Sequence, residues 1–269
     1  MKKIIDTLLA PGSAFPPPQG VFLSGVFVSA VQIAPYFVIK AGFLLLGVSL
    51  NEIIAMAGVP LAMAVFFRYD LRRLFPFRVP SWSQFLVMAA GTFCMDIFID
   101  YMVWFSDLYL HTPVHVLDSL SGVMDFSSPW ELAAKILIFC LLTGICEEIY
   151  FRGFFQGSLS SKLGSRIGVI TASLIFAAMH GNPWYFPLYF ILGLFFGIVY
   201  KKSGTLVAPI FCHALNNAWS ILTHNLGIKF PLSESFNYSE LTILIPALLF
   251  AIYSVSQVKQ VFDKRGYKV

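Results

Sequence analysis

The residues best suited to chemistry fall in three short groups. The first is Glu147-Glu148-Ile149-Tyr150-Phe151-Arg152. On a helix, adjacent glutamates point about 100° apart. Arg152 follows Glu148 by four residues, so these two share a face and can form an ion pair. Glu147 then points elsewhere, with no local partner. The spacing divides the work: Glu148 and Arg152 fix the helix, and Glu147 faces a cavity. The second group is Phe176-Ala177-Ala178-Met179-His180, which stacks Phe176 and His180 on one face. The third is His213-Ala214-Leu215-Asn216-Asn217, which does the same for His213 and Asn217. Each group alone has a plainer explanation: acids at a helix end in the interface, a structural histidine, an interhelical hydrogen bond. Together they supply one free carboxylate, two imidazoles and one amide, the set that peptide hydrolysis requires. A carboxylate takes a proton from water as general base, and an imidazole orients the water or returns a proton to the leaving amine. An imidazole and an amide can donate hydrogen bonds to an oxyanion.

The elements that position these groups are membrane helices. The 269 residues are 58% hydrophobic, 16% aromatic and only 12% charged, with a mean hydropathy of +0.77. Ordinary soluble domains carry roughly 25% charged residues. This composition excludes a soluble enzyme, a disordered chain and a nucleic-acid binder, so no nucleic-acid partner is expected. Cys94, Cys140, Cys146 and Cys212 lie in apolar runs without a C-x-x-C pair, and read as small core residues. A spanning helix needs about 20 mainly apolar residues. Runs poor in charge predict eight such helices, at about 22–48, 52–67, 83–106, 131–157, 167–181, 184–200, 205–224 and 241–258. Gly181-Asn182-Pro183 breaks the long run 167–200 in two. The runs lack the alternation of barrel strands, so the fold class is an all-α polytopic membrane protein with its site inside the helix bundle. The chain reads as one integral membrane domain, 1–269.

Lysine and arginine set the orientation. With the N-terminus inside, 15 of the 18 basic residues fall on the inner side, Lys40, Lys135 and Lys229 being the others. The segment 107–130 carries Asp107, Asp118 and Asp125 and no basic residue, which places it outside. An even number of helices puts both termini in the cytoplasm, in a multi-pass protein of the cell membrane. Met1-Lys2-Lys3 and the apolar residues after it resemble a signal peptide faintly, but Asp6 interrupts them. They read instead as an interfacial lead-in before Pro16-Pro17-Pro18.

The order EExxxR, FxxxH, HxxxN on successive helices resembles the CPBP family of intramembrane proteases. That group includes type II CAAX prenyl endopeptidases and bacterial proteins linked to bacteriocin processing, immunity or lysostaphin resistance. The resemblance rests on Glu147-Glu148-x-x-x-Arg152-Gly153, Phe176-x-x-x-His180 and His213-x-x-x-Asn217, and no motif position departs from the pattern. It covers residues 130–222, about a third of the chain, as the catalytic core. Residues 1–129 add N-terminal helices without a recognised motif. The resemblance implies that Glu147 and His180 activate water and that His213 and Asn217 form the oxyanion site, with Glu148, Arg152 and Phe176 in support. It implies a membrane-associated protein or peptide as substrate, lipidated in some members, within the lipid bilayer. The family has been called metalloproteases, so zinc on Glu147, His180 and His213 stays open. Asparagine is a rare zinc ligand, which favours a glutamate-dependent mechanism with no cofactor. Substrate, oligomeric state and metal dependence are not in the sequence.

Other polar residues have lesser roles. Charged groups at bilayer depth are costly, by ~2.5–3.5 kcal/mol on insertion scales. Asp96 and Asp100 sit four apart on the third helix, and matched depth predicts an ion pair between Lys40 and Asp100. His111, His115 and His224 read as solvated loop or helix-end groups. Trp184, Tyr185, Tyr189 and Trp219 read as interfacial or packing groups. Two other functions compete with proteolysis. A catalytically silent relative binding another membrane protein would have lost motif residues. A proton-coupled transporter would show inverted repeats, and none is present.

Overall fold

A computed structural model describes residues 9–228 and 238–260. The lead-in at 1–8 and the basic residues Lys229, Lys264, Arg265 and Lys268 lie outside the described residues. Among the described residues nine principal helices follow one another and no strand occurs. They are α1 (Pro18–Lys40), α2 (Leu44–Phe66), α3 (Trp82–Leu110), α4 (Val114–Met124), α5 (residues 129–163), α6 (Ser165–Met179), α7 (Phe186–Ser203), α8 (Val207–Leu226) and α9 (Tyr238–Gln257). A helix occupies each of the eight expected positions, but the first, expected at 22–48, ends at Lys40, and the second, expected from 52, already begins at Leu44; α4 is an additional helix in the segment assigned to the outside. The all-α polytopic fold read from composition is the fold observed.

Five of these helices, α1, α2, α3, α7 and α9, are long and apolar enough to cross a bilayer by length and composition. The other three membrane segments, α5, α6 and α8, are the ones that carry the motifs. Helix α6 has 15 residues, about 22 Å at 1.5 Å per residue. That is shorter than a hydrocarbon core of about 30 Å, so its C-terminal end stops inside the bundle. Side chains on the outer surface are apolar: Phe66, Leu86, Ile170 and Leu249 are exposed, as lipid contact requires.

Small residues let the helices approach closely. A Cβ on Gly91 of α3 would clash with the Ser254 side chain of α9, so a glycine is what lets the two helices pack there. A Cβ on Gly193 of α7 would meet Ser173 of α6 at 3.0 Å. The core where α5, α6, α7 and α8 converge is aromatic: Tyr150, Phe151, Phe154, Phe176 and Phe196 are buried. Two wider π-helical stretches occur in α5, at Ile136–Leu142 and Ile149–Gln156, and one in α2, at Asn51–Gly58. Such stretches shift the faces of a helix and are frequent at functional sites.

The expected Lys40–Asp100 pair does not form. Helix α1 ends at Lys40, where Gly42 turns the chain with φ +93°, so Lys40 is exposed at a helix end rather than deep in the bundle. Its ammonium lies over the Tyr36 ring. Asp100 instead accepts a hydrogen bond from the Trp219 indole at 3.1 Å. Trp219 is therefore a packing group, with its ring against Phe93. His224 is not merely solvated: it contacts Asp125 at 2.7 Å. With Lys135, which reaches the carbonyls of Gly122 and Asp125 from α5, it fastens the 107–130 segment to the bundle.

Candidate active site

Helix α5 supplies a polar row at four-residue spacing. Glu148, Arg152 and Gln156 are each almost fully buried on one face. The Arg152 guanidinium pairs with Glu148 at 3.1 Å, as the spacing predicts. It also donates to the Gly193 carbonyl of α7 at 3.1 Å. One turn on, the Gln156 amide donates to the Gly197 carbonyl at 2.9 Å. Both bonds join residues 41 apart in sequence, so α5 and α7 run in the same direction, as helices two crossings apart must. Gln156 went unremarked in the sequence, although its place four residues after Arg152 continues the same polar row.

Glu148 does more than pair with Arg152. Its second oxygen is 2.9 Å from His213 Nδ1 on α8. Glu148 is bound to a guanidinium and so acts as an acceptor, which places the hydrogen on His213 Nδ1. The other ring nitrogen, Nε2, then faces Glu147, 3.9 Å from its Oε2. That Glu147 oxygen has no hydrogen-bond partner. Glu147 thus points away from Arg152 with one oxygen free, the separation the helical spacing requires.

His180 caps the C-terminal end of α6, and its Nδ1 lies 2.7 Å from the Phe176 carbonyl. A carbonyl only accepts, so Nδ1 donates and Nε2 carries the lone pair. Gly181 turns the chain immediately afterwards with φ +64°. Because α6 is short, His180 comes to the depth of the other motif residues, within electrostatic range of Glu147, His213 and Arg152. Phe176 fills the space between: its ring centroid is 4.6 Å from that of His180 and 6.0 Å from that of His213. The Arg152 guanidinium lies over the same ring at 4.7 Å, a cation–π contact in a desolvated setting.

Asn217 is placed less directly. Its amide donates to the Phe139 carbonyl of α5 at 2.7 Å, fixing α8 against α5, and leaves one amide hydrogen over. Its neighbour Asn216 turns the other way and donates to the buried Asp96 of α3 at 2.7 Å. Asp96 and Asp100 thus hold α8 from the α3 side. Tyr189 and Tyr185 are not interfacial. Tyr185 is buried, and Tyr189 stacks on His180. Trp184 meets the His115 ring edge-on at 6.2 Å, and His115 itself is exposed, as expected.

One acidic residue passed unnoticed in the sequence. Glu52, in the π-helical stretch of α2, is 3% exposed and lies within electrostatic range of Glu147. Asn51 donates to one of its oxygens at 3.0 Å, and the other has no partner. The signal was available: Glu52 interrupts the charge-poor residues 41–67. Among the described residues no three His, Cys, Asp or Glu side chains converge as metal ligands. His213 spends Nδ1 on Glu148 and His180 spends Nδ1 on a backbone carbonyl, which leaves one nitrogen of each ring and one Glu147 oxygen uncommitted.

The comparisons with known proteins agree with the motifs. Over 101 residues the chain is 33% identical to membrane-embedded CAAX protease MroQ of Staphylococcus aureus (strain USA300), covering 34% of this chain and 41% of that protein. It is 25% identical over 108 residues to YdiL of Bacillus subtilis (strain 168), covering 40% of this chain and 44% of YdiL. It is 33% identical over 121 residues to the uncharacterised protein YpbD of the same organism, covering 44% of this chain and 56% of YpbD. The chain thus spans about half the length of the curated relatives it matches. No solved structure matches it. The resemblance carried by EExxxR, FxxxH and HxxxN is borne out, and residues 129–219 match the family described as type II CAAX prenyl endopeptidase Rce1-like.

Proposed function

We propose that this chain is an intramembrane endopeptidase that hydrolyses a peptide bond of a membrane-associated protein or peptide with water activated by Glu147. The observation that carries the reading is the division of the adjacent glutamates. Glu148 is consumed by Arg152 and His213, while Glu147 keeps one unpartnered oxygen toward His213 Nε2. In the reading, a water lies between Glu147 and the His180 Nε2 lone pair. Glu147 takes its proton as the oxygen attacks the carbonyl carbon. The C=O bond opens to an oxyanion, which accepts hydrogen bonds from His213 Nε2 and the spare hydrogen of the Asn217 amide. Donation from Nε2 uses the ring with a hydrogen on both nitrogens. Collapse breaks the C–N bond, and the proton on Glu147 passes to the leaving amine.

No step runs through a metal. Buried aromatic walls around the site strengthen each charge interaction by excluding water. The basic asymmetry supports both termini facing the cytoplasm, in the cell membrane. The test is cleavage of a membrane peptide by purified protein in detergent. Glu147→Gln keeps size but cannot take the proton, and should lower turnover by ~10²–10⁴-fold, the contribution of a positioned acid–base group. Near-normal cleavage by a folded Glu147→Gln protein would refute the mechanism. Wild-type activity that survives exhaustive chelation in a verified zinc-free preparation supports water activation by Glu147 and His180 alone.

A further inference from the structure

Helix α7 carries none of the motif residues, yet it places an aromatic ring on each motif histidine. Tyr189 stacks on His180 with centroids 4.0 Å apart and planes at 24°. Phe196 stacks on His213 at 5.0 Å and 15°. Seven residues separate the two rings, two helical turns to within about 20°, so one face of α7 meets both histidines. Gly193 lies on that face between them, and its carbonyl receives Arg152. Each imidazole is thereby fixed in two ways. One nitrogen is held by a hydrogen bond in the ring plane, to the Phe176 carbonyl or to Glu148. The ring face is held by an aromatic from α7. The Tyr189 hydroxyl has no hydrogen-bond partner among the described residues, so the ring contact is what positions that side chain.

We infer that Tyr189 and Phe196 are positioning residues: α7 acts as a clamp that holds the His180 and His213 ring planes with each Nε2 directed at the Glu147 centre. The inference rests on the proposed protease reading for its kinetic consequence, but not for the stacking itself. A hydrogen bond alone leaves an imidazole free to swing about the bond. A ring stacked on its face removes that freedom before substrate arrives. Tyr189 is half-buried, so it can be changed without opening the core. Phe196 is fully buried, and its replacement perturbs packing as well.

Two measurements on the full chain in detergent test this. The first needs no substrate: diethylpyrocarbonate labelling of His180, read by mass spectrometry. Tyr189→Leu should label several-fold faster than wild type, and Tyr189→Phe at the wild-type rate. Equal labelling of wild type and Tyr189→Leu overturns the inference, whether or not the protein is a protease. The second is peptide cleavage. Misplacing a reacting group by about 1 Å can cost ~10²-fold. Tyr189→Leu should therefore lose about ten-fold or more in kcat with KM and melting temperature unchanged, and Tyr189→Phe should recover that turnover because it keeps the ring. In a His180→Ala background Tyr189→Leu should add nothing, since the group it positions is gone. Wild-type kcat in Tyr189→Leu, or equal losses in the Phe and Leu variants, overturns the inference. If wild type labels as expected but cleaves no peptide, and Glu147→Gln is indistinguishable from it, the protease reading fails while the clamp stands.

Discussion

Replacing Glu148 by Gln separates the structural glutamate from the catalytic one. Glu148 is fully buried and holds Arg152 at 3.1 Å and His213 Nδ1 at 2.9 Å. Gln keeps an acceptor for His213 but removes the charge opposite a guanidinium that is only 1% exposed. Removing one partner of a buried ion pair costs about 3–5 kcal/mol, because the other charge stays buried without compensation. Arg152 retains the Gly193 carbonyl, which puts the loss at the lower end, about 3 kcal/mol. For a chain of this size each kcal/mol moves Tm by roughly 2–4 °C, so Glu148→Gln should melt about 6–12 °C below wild type. Glu147→Gln removes no hydrogen bond from the free oxygen and should melt within about 2 °C of wild type, an effect under 1 kcal/mol on the same scale. The double variant Glu148→Met with Arg152→Met removes both charges and should recover much of the loss, since apolar replacement of a whole buried pair is often neutral. The assay is thermal unfolding of purified protein in one detergent, with peptide cleavage measured beside it. A Glu148→Gln protein that melts with wild type, or a Glu147→Gln protein that melts far below it, would refute the assignment of roles.

Gly193→Ala places a methyl 3.0 Å from the Ser173 Cβ and 3.1 Å from its Cα; overpacking of this kind costs about 1–3 kcal/mol, and a lowered Tm with the α6–α7 contact strained is expected. Glu52→Gln keeps the acceptor for Asn51 and removes a carboxyl facing Glu147, so its Tm should equal or exceed that of wild type; a large fall would mean that Glu52 carries a stabilising charge. Leu120→Cys, made with the partly exposed Cys94 replaced by Ser, should react with an impermeant thiol reagent added outside intact cells, against a background kept low because Cys140, Cys146 and Cys212 are buried; labelling only after the cytoplasm is opened would invert the topology.

Much of the site was legible because helical spacing is a local property. The i, i+4 relation pairs Glu148 with Arg152 and turns Glu147 away from both, whatever surrounds the helix, and this held. The eight apolar segments were legible because the bilayer demands long apolar helices irrespective of partners. Contacts between helices followed other rules. Lys40 and Asp100 matched in depth by counting residues, but Gly42 ends α1 early and no count along one helix reveals its rotation against another. Glu148 serves His213 as well as Arg152 because α8 packs against α5 there. The depth of His180 depended on where α6 stops, which is set by Gly181 and by the short span of that helix. Tyr189 and Phe196 look in sequence like any aromatic residues of an apolar helix. Their place on the two histidines follows from the register of α7 against α5, fixed by Arg152 on Gly193 and Gln156 on Gly197, and two hydrogen bonds between residues 41 apart exist only once the chain has folded.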